Sequence, residues 1–342
     1  MKVVAYSIKP FEKEFLAKAN QKKHDITLIS NPLSLQTTVY AEGKDAIIVY
    51  TNDDVSEPVI EKLANAGVRY IATRSAGTGH IDKDAAAKYN IKLSNVPACS
   101  PQATAEQAVA LAFALNRHII TAAKNGLDSD FRDEELIGFN FFGKTAGIIG
   151  LGETGQAAAK IFHGMGCRVI GYDIAVPESL PYIEHVDLDV LYAGSDIISL
   201  HLPLIASTRH IINKDAISLM KPGVMLINTS RGALIDNTDV IEGLERKKIG
   251  YLGIDVYEHE REQFFGDDKN ELQKDATLKA LMSYPNVIVT PHQACLTKEA
   301  LQDIANQTIK NLDLWQNKKC VGDACICAAN CRIKAKEVIL DK

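Results

Sequence analysis

No stretch of this chain reaches the roughly 18 consecutive apolar residues that a membrane helix requires, so a membrane-spanning role is not expected. A basic patch is missing as well: 38 Lys and Arg stand against 43 Asp and Glu, a formal net charge of −5, which argues against a nucleic-acid partner. The opening apolar run, Met1 to Ile8, is too short for a signal peptide and reads instead as a first strand. There is no repeat of solenoid period and no low-complexity linker. Seven cysteines, an odd number, make a poor disulfide framework, so reduced thiols and a cytoplasmic setting are expected. Four of them, Cys320, Cys325, Cys327 and Cys331, crowd the end of the chain in a C-x₄-C-x-C-x₃-C spacing. Structural zinc sites present two tight C-x₂₋₄-C knuckles, so no metal is expected and these thiols should be solvent-facing or loosely packed.

What is present is an ordinary globular composition, 46% apolar and 24% charged, over 342 residues. That length exceeds one core and implies two domains. Short apolar runs alternate with amphipathic segments, the pattern of parallel strands joined by crossover helices. Strands are predicted at 3–8, 26–29, 46–50, 70–73 and 92–95, enough for one small doubly wound unit. After a long helical stretch from about Pro101 to Asn125, six more follow at 145–150, 168–172, 197–200, 224–228, 252–255 and 287–290. The fold class is therefore α/β with two doubly wound parallel sheets. Because the helical stretch Lys298 to Gln316 leaves the second pattern, the first domain is expected to be discontinuous: residues 1–100, then 298–342, with a nucleotide domain over 101–297 between them.

Gly150-Leu151-Gly152-Glu153-Thr154-Gly155 follows an apolar strand and opens an alanine-rich helix. In that context the three glycines give the tight turn, the close backbone approach to a pyrophosphate and close helix packing, with the helix N-terminus facing the phosphates. Asp173, eighteen residues past Gly155, is placed to accept the adenosine ribose hydroxyls, and nothing nearby compensates a 2′-phosphate; NAD is the expected cofactor. Arg231, Glu260 and His292 each follow a strand-like run. A guanidinium at the carboxyl end of a parallel sheet suits a substrate carboxylate and polarises the adjacent keto oxygen. An imidazole backed by a carboxylate suits proton transfer to that oxygen, and Asp255, Glu258 and Glu260 are all local candidates to back His292.

These stretches, together with Ser199-Leu200-His201-Leu202-Pro203-Leu204, Asn228 to Asp236 and Pro291-His292-Gln293-Ala294, resemble the D-isomer-specific 2-hydroxyacid dehydrogenases, most closely the fermentative D-lactate dehydrogenases, from Met1 to about Trp315. The resemblance implies a Rossmann NAD domain inserted into a flavodoxin-like substrate domain. It implies that Arg231 binds the carboxylate, that Glu260 partners the imidazole and that His292 is the general acid of reduction. NAD contacts are implied at Glu153, Thr154, Asp173, Leu202, Pro203, Thr208, Thr229, Ser230, Arg231 and Asp255, and a substrate-carboxylate loop at Ser75, Ala76 and Gly77. It implies reduction of a small 2-keto acid, pyruvate foremost, and at least a homodimer, with a tetramer open. Glyoxylate or hydroxypyruvate reduction stays open, as does an NADH-sensing corepressor-like module. Cys99 and Cys295 stand where those relatives carry tyrosine and phenylalanine on the substrate's methyl side, so larger 2-keto acids are expected to be tolerated.

Overall fold

The computed structural model describes residues 1–97, 100–127, 136–175, 180–259 and 275–327. The chain divides into two compact units, Met1–Cys99 with Leu296–Lys342, and Ser100–Cys295. In the first, strands β1 (Lys2–Ala5), β2 (Asp25–Leu28), β3 (Ala46–Val49), β4 (Tyr70–Thr73) and β5 (Lys92–Ser94) form a parallel sheet in the order β2-β1-β3-β4-β5. That is the doubly wound order of flavodoxin-like folds. The pleat sends alternate residues to opposite faces. Val4, Ile47, Val49, Ile71 and Leu93 pack with Val59, Ile60 and Leu63 of the helix Glu57–Asn65. Val3, Ala5, Ala46, Ile48 and Ala72 pack with Ile309, Leu312 and Trp315 of the helix Lys298–Gln316. The Trp315 ring stacks on Tyr70 at 4.9 Å.

Past that helix the chain runs antiparallel along β5, the edge of this sheet. Asn95 N–H donates to Ala324 O at 3.0 Å, Ile326 N–H to Leu93 O at 3.3 Å, and Leu93 N–H to Cys327 Sγ at 3.2 Å. Ser94 and Cys325 form the bridge between them. The expectation of exposed or loose tail thiols therefore fails for the three that are described: Cys320 is buried, while Cys325 and Cys327 are half-buried. The reason is the edge itself, whose backbone groups demand partners. Cys331 lies outside the described residues. A second expectation, that all thiols are reduced, fails at Cys295, which is disulfide-bonded. Cys167 is a free thiol, raised to about 11 by burial, and it donates to Phe141 O.

The second unit carries β6 (Thr145–Ile149), β7 (Arg168–Tyr172), β8 (Glu184–His185), β9 (Ile197–Leu200), β10 (Val224–Asn228), β11 (Ile249–Ile254) and β12 (Val287–Val289). They lie in the order β12-β11-β10-β9-β6-β7-β8, all parallel. Chain direction across the sheet reverses between β6 and β9, the switch point where ligands bind in such sheets. Strands β6, β9 and β10 are buried throughout, as expected for a parallel sheet covered on both faces. Ala105, Ala108 and Ala112 of the helix Pro101–Asn116 pack with Ala158 and Ala159 of the helix Glu153–Gly164, where small side chains permit close approach.

Candidate functional site

Because β10, β11 and β12 are neighbours in register, with Asn228 beside Ile254 and Ile254 beside Val289, the loops that follow them leave one edge side by side. Neighbouring strands lie roughly 4.8 Å apart. The sheet thus brings the Arg231, Asp255 and His292 segments together although they are far apart in sequence.

The Arg231 loop is held by a buried amide. Asn228, fully buried, accepts Ser230 N–H at 3.0 Å and donates to Arg231 O at 2.8 Å, while Ser230 Oγ donates to Leu200 O of β9 at 2.7 Å. Asp255 does the corresponding work for His292. It is fully buried, and its carboxylate accepts from Thr290 Oγ1 at 2.5 Å, Gln293 N–H at 3.0 Å and Ala294 N–H at 2.8 Å. Its carbonyl accepts His292 N–H at 2.8 Å. Burial pushes the Asp255 carboxyl above its ordinary range, opposed by those hydrogen bonds and by His292. His292 itself sits at φ +52°, a left-handed conformation that costs a non-glycine residue about 1–3 kcal/mol. Four hydrogen bonds from its own loop to Asp255 hold it there.

Of the three carboxylates that the sequence offers to back His292, Asp255 accepts from Thr290, Gln293 and Ala294 of the His292 loop, and Glu258 is bonded to Arg209 and His210. Glu260 and Cys99 lie outside the described residues. His259 is exposed, its ring 5.9 Å from that of Tyr257.

The glycine turn follows β6. A Cβ at Gly150, φ +94°, would come within 2.4 Å of His201 O, and one at Gly155 within 1.9 Å of Gly150 O, so neither position admits a side chain. Gly152, by contrast, faces open space. It is also the N-cap of the helix Glu153–Gly164, and no side chain caps that end, so the first-turn amides suit a diphosphate. Asp173, at the end of β7, accepts Leu151 N–H at 2.6 Å and Ala175 N–H at 3.0 Å, which ties it to the glycine turn. Two buried polar atoms along the same edge have no partner among the described residues, Thr229 Oγ1 and His201 Nδ1. Orphaned groups of this kind, beside a cradle closed to side chains, fit a bound dinucleotide. His201 Nε2 lies 2.9 Å from Ser199 Oγ, and burial pushes the ring down to about 4, so it is neutral. Leu202 is half-buried and Pro203 exposed; the Thr208 hydroxyl donates to Pro203 O at 2.6 Å and closes its own loop.

In the first unit, Ser75-Ala76-Gly77 follow β4. Asn95 Nδ2 donates to Ala76 O at 3.0 Å, and Ser75 Oγ donates to Gly77 O at 2.8 Å. Arg74, buried, anchors the loop's root by bonding Glu12, Tyr6 O and Ser7 O. Among the described residues no group of three or more His, Cys, Asp or Glu side chains could hold a metal ion.

The family model for D-isomer specific 2-hydroxyacid dehydrogenase, NAD binding domain, matches residues 109–294. D-lactate dehydrogenase of Escherichia coli is 42% identical over 316 residues, 91% of this chain and 96% of that protein. The chain belongs to the D-isomer-specific 2-hydroxyacid dehydrogenases. It is an NAD-dependent oxidoreductase of that family. The solved pyruvate reductase of Chlamydomonas reinhardtii superposes with a TM-score of 0.89 at 41% identity, covering 94% of this chain and 98% of that one. An aromatic 2-oxoacid reductase of Clostridium sporogenes is 39% identical over 321 residues, 93% of this chain and 97% of that protein. In this dehydrogenase the residues that sequence reasoning passed over are the supports: Asn228, Thr290 and the Glu258 partners Arg209 and His210. A polar residue closing an apolar run was the available signal for the first two.

Proposed function

We propose that this dehydrogenase reduces pyruvate to D-lactate, with Arg231, Glu260 and His292 as its catalytic residues. The observation that carries the reading is the Asp255 anchor, which fixes the His292 loop at the same sheet edge as the Arg231 loop. Gly152, Glu153 and Thr154 hold the cofactor's diphosphate, Asp173 its adenosine ribose, and Leu202, Pro203, Thr208, Thr229 and Ser230 line its path. Bound NADH supplies the hydride for the keto carbon. Arg231 grips the substrate carboxylate in a fork and polarises the keto oxygen. His292 delivers the proton to that oxygen, and Glu260 stabilises the protonated ring. Ser75, Ala76 and Gly77 are the candidate carboxylate-binding loop of the substrate unit, residues 1–100 and 298–342.

A second reading, tolerance of larger 2-keto acids, is favoured by the likeness to the aromatic 2-oxoacid reductase together with Cys99 and Cys295 in place of two rings. We take the working protein to be a cytoplasmic homodimer joined through the nucleotide unit, where Ile119, Ile120, Leu127, Ile137 and Phe142 are exposed. Steady-state NADH oxidation with pyruvate, 2-ketobutyrate, phenylpyruvate, glyoxylate and hydroxypyruvate tests the substrate. Pyruvate far ahead of the rest removes the second reading, and no turnover with any of them favours an NADH-sensing binding module.

A further inference from the structure

His210 is a non-glycine residue at φ +50°, in a loop between β9 and the helix Lys214–Leu219. Such strain persists only where the surroundings over-determine it. They do so here from three strand-end loops. His210 N–H donates to Ala233 O at 2.8 Å, two residues past Arg231. Its ring places Nδ1 3.4 Å from Asp236 Oδ2 and Nε2 3.2 Å from Glu258 Oε2. Arg209 holds the other Glu258 oxygen. Burial raises the Glu258 carboxyl, but hydrogen bonds from His210 and Arg209 outweigh it and leave it below its ordinary range.

The Asp236 carboxylate also acts on the helix that follows it, since its Oδ1 caps Asn237–Glu245 by accepting Thr238 and Asp239 N–H. The backbones continue the same contact. Ile212 N–H donates to Leu234 O at 3.1 Å and Asp236 N–H to Ile212 O at 2.9 Å, zipping the His210 loop along the segment that follows Arg231. Gly232 lies so close to the Tyr257–Glu258 peptide that a Cβ would come within 2.2 Å of Glu258 N. The segments after β9, β10 and β11 are thus one clasped body, with His210 as its hub.

We propose that His210 is a positioning residue for the reaction, setting the Arg231 loop against the Glu258 loop that follows β11 through Asp236 and Glu258, with Arg209 as support. The inference rests on the catalytic roles of Arg231 and Glu260 proposed above. The perturbation is His210→Asn, because asparagine tolerates the left-handed backbone yet its short amide cannot span two carboxylates. It is paired with Glu258→Gln, which removes the other side of the bridge. Each variant should lower kcat/KM for pyruvate by about tenfold or more, the scale of a catalytic group displaced by less than an ångström, through a higher KM for the keto acid and a lower kcat. The NADH dissociation constant from fluorescence titration should stay within about twofold, which a general loss of fold would not allow. The double variant should be no worse than the poorer single one, since both break one connection. Parental kcat/KM in both single variants, or effects that multiply in the double one, overturns the inference. Should His210→Asn not fold, Glu258→Gln and Arg209→Gln carry the same comparison. Arg231→Lys, run alongside, separates the two levels: parental kcat/KM there sinks the catalytic assignment itself, whereas a large loss there with none at His210 sinks only the clasp.

Discussion

His201 makes the stability of this protein depend on pH in a way that one substitution isolates. The folded ring is held down to about 4 by burial, against an ordinary value of 6.5. Between those two values the unfolded chain binds a proton that the folded chain refuses. Stability is therefore full above pH 6.5 and falls as pH drops, by up to about 1.4 kcal/mol per unit and about 3 kcal/mol by pH 4. His24 contributes with the same sign, because burial lowers its pKa as well, so the pH profile of the parent alone does not single out His201. His201→Gln does. Urea unfolding of parent and variant at pH 7.5, 6, 5 and 4.5 should show the parent losing about 2 kcal/mol more than the variant between pH 7.5 and 5. Parallel profiles would mean that the folded ring titrates normally, and the neutral, half-buried imidazole at the cofactor edge would have to be given up.

Other substitutions read the site directly. Gly155→Ala places a Cβ 1.9 Å from Gly150 O, and NADH affinity measured by fluorescence titration should fall more than about tenfold, about 1.4 kcal/mol. Asp173→Ala should raise the KM for NADH by about tenfold, the worth of one or two lost hydrogen bonds, and narrow the preference over NADPH in parallel assays. Asp255→Asn keeps one acceptor oxygen but turns a donor toward one of the two loop N–H groups; it should cost about 2 kcal/mol in thermal unfolding, speed hydrogen exchange at residues 290–294 and reduce kcat.

Strands rich in β-branched residues were readable from sequence almost residue for residue: 70–73, 168–172, 197–200 and 224–228 stand as expected. Their order gave the doubly wound architecture, since a glycine turn between strand and helix fixes where a nucleotide sheet begins. The two-residue strand Glu184–His185 was not readable, because a polar pair at a sheet edge has no apolar period. Nor was the antiparallel run of residues 324–327, which is recruited by the edge of β5 and not by its own pattern. At the site, motifs marked the loops but not their connections. Glu258 was one of three local candidates to back His292, and spacing did not choose among them; its carboxylate meets residues some 48 positions earlier, a pairing created only when β9, β10 and β11 lie side by side. Asp255 stood out in the sequence as a candidate; the hydrogen bonds it accepts from the His292 loop did not.

The docking of residues 324–327 matters for more than local order. A parallel sheet that ends in a bare strand offers a template on which a second chain can add itself. Here the chain hems its own flank, and does so with a thiol, the Cys327 sulfur receiving the Leu93 amide. Trimming the protein back to Lys319 would strip that hem while leaving every proposed catalytic residue in place, and the shortened enzyme should turn over normally when dilute but self-associate as its concentration rises.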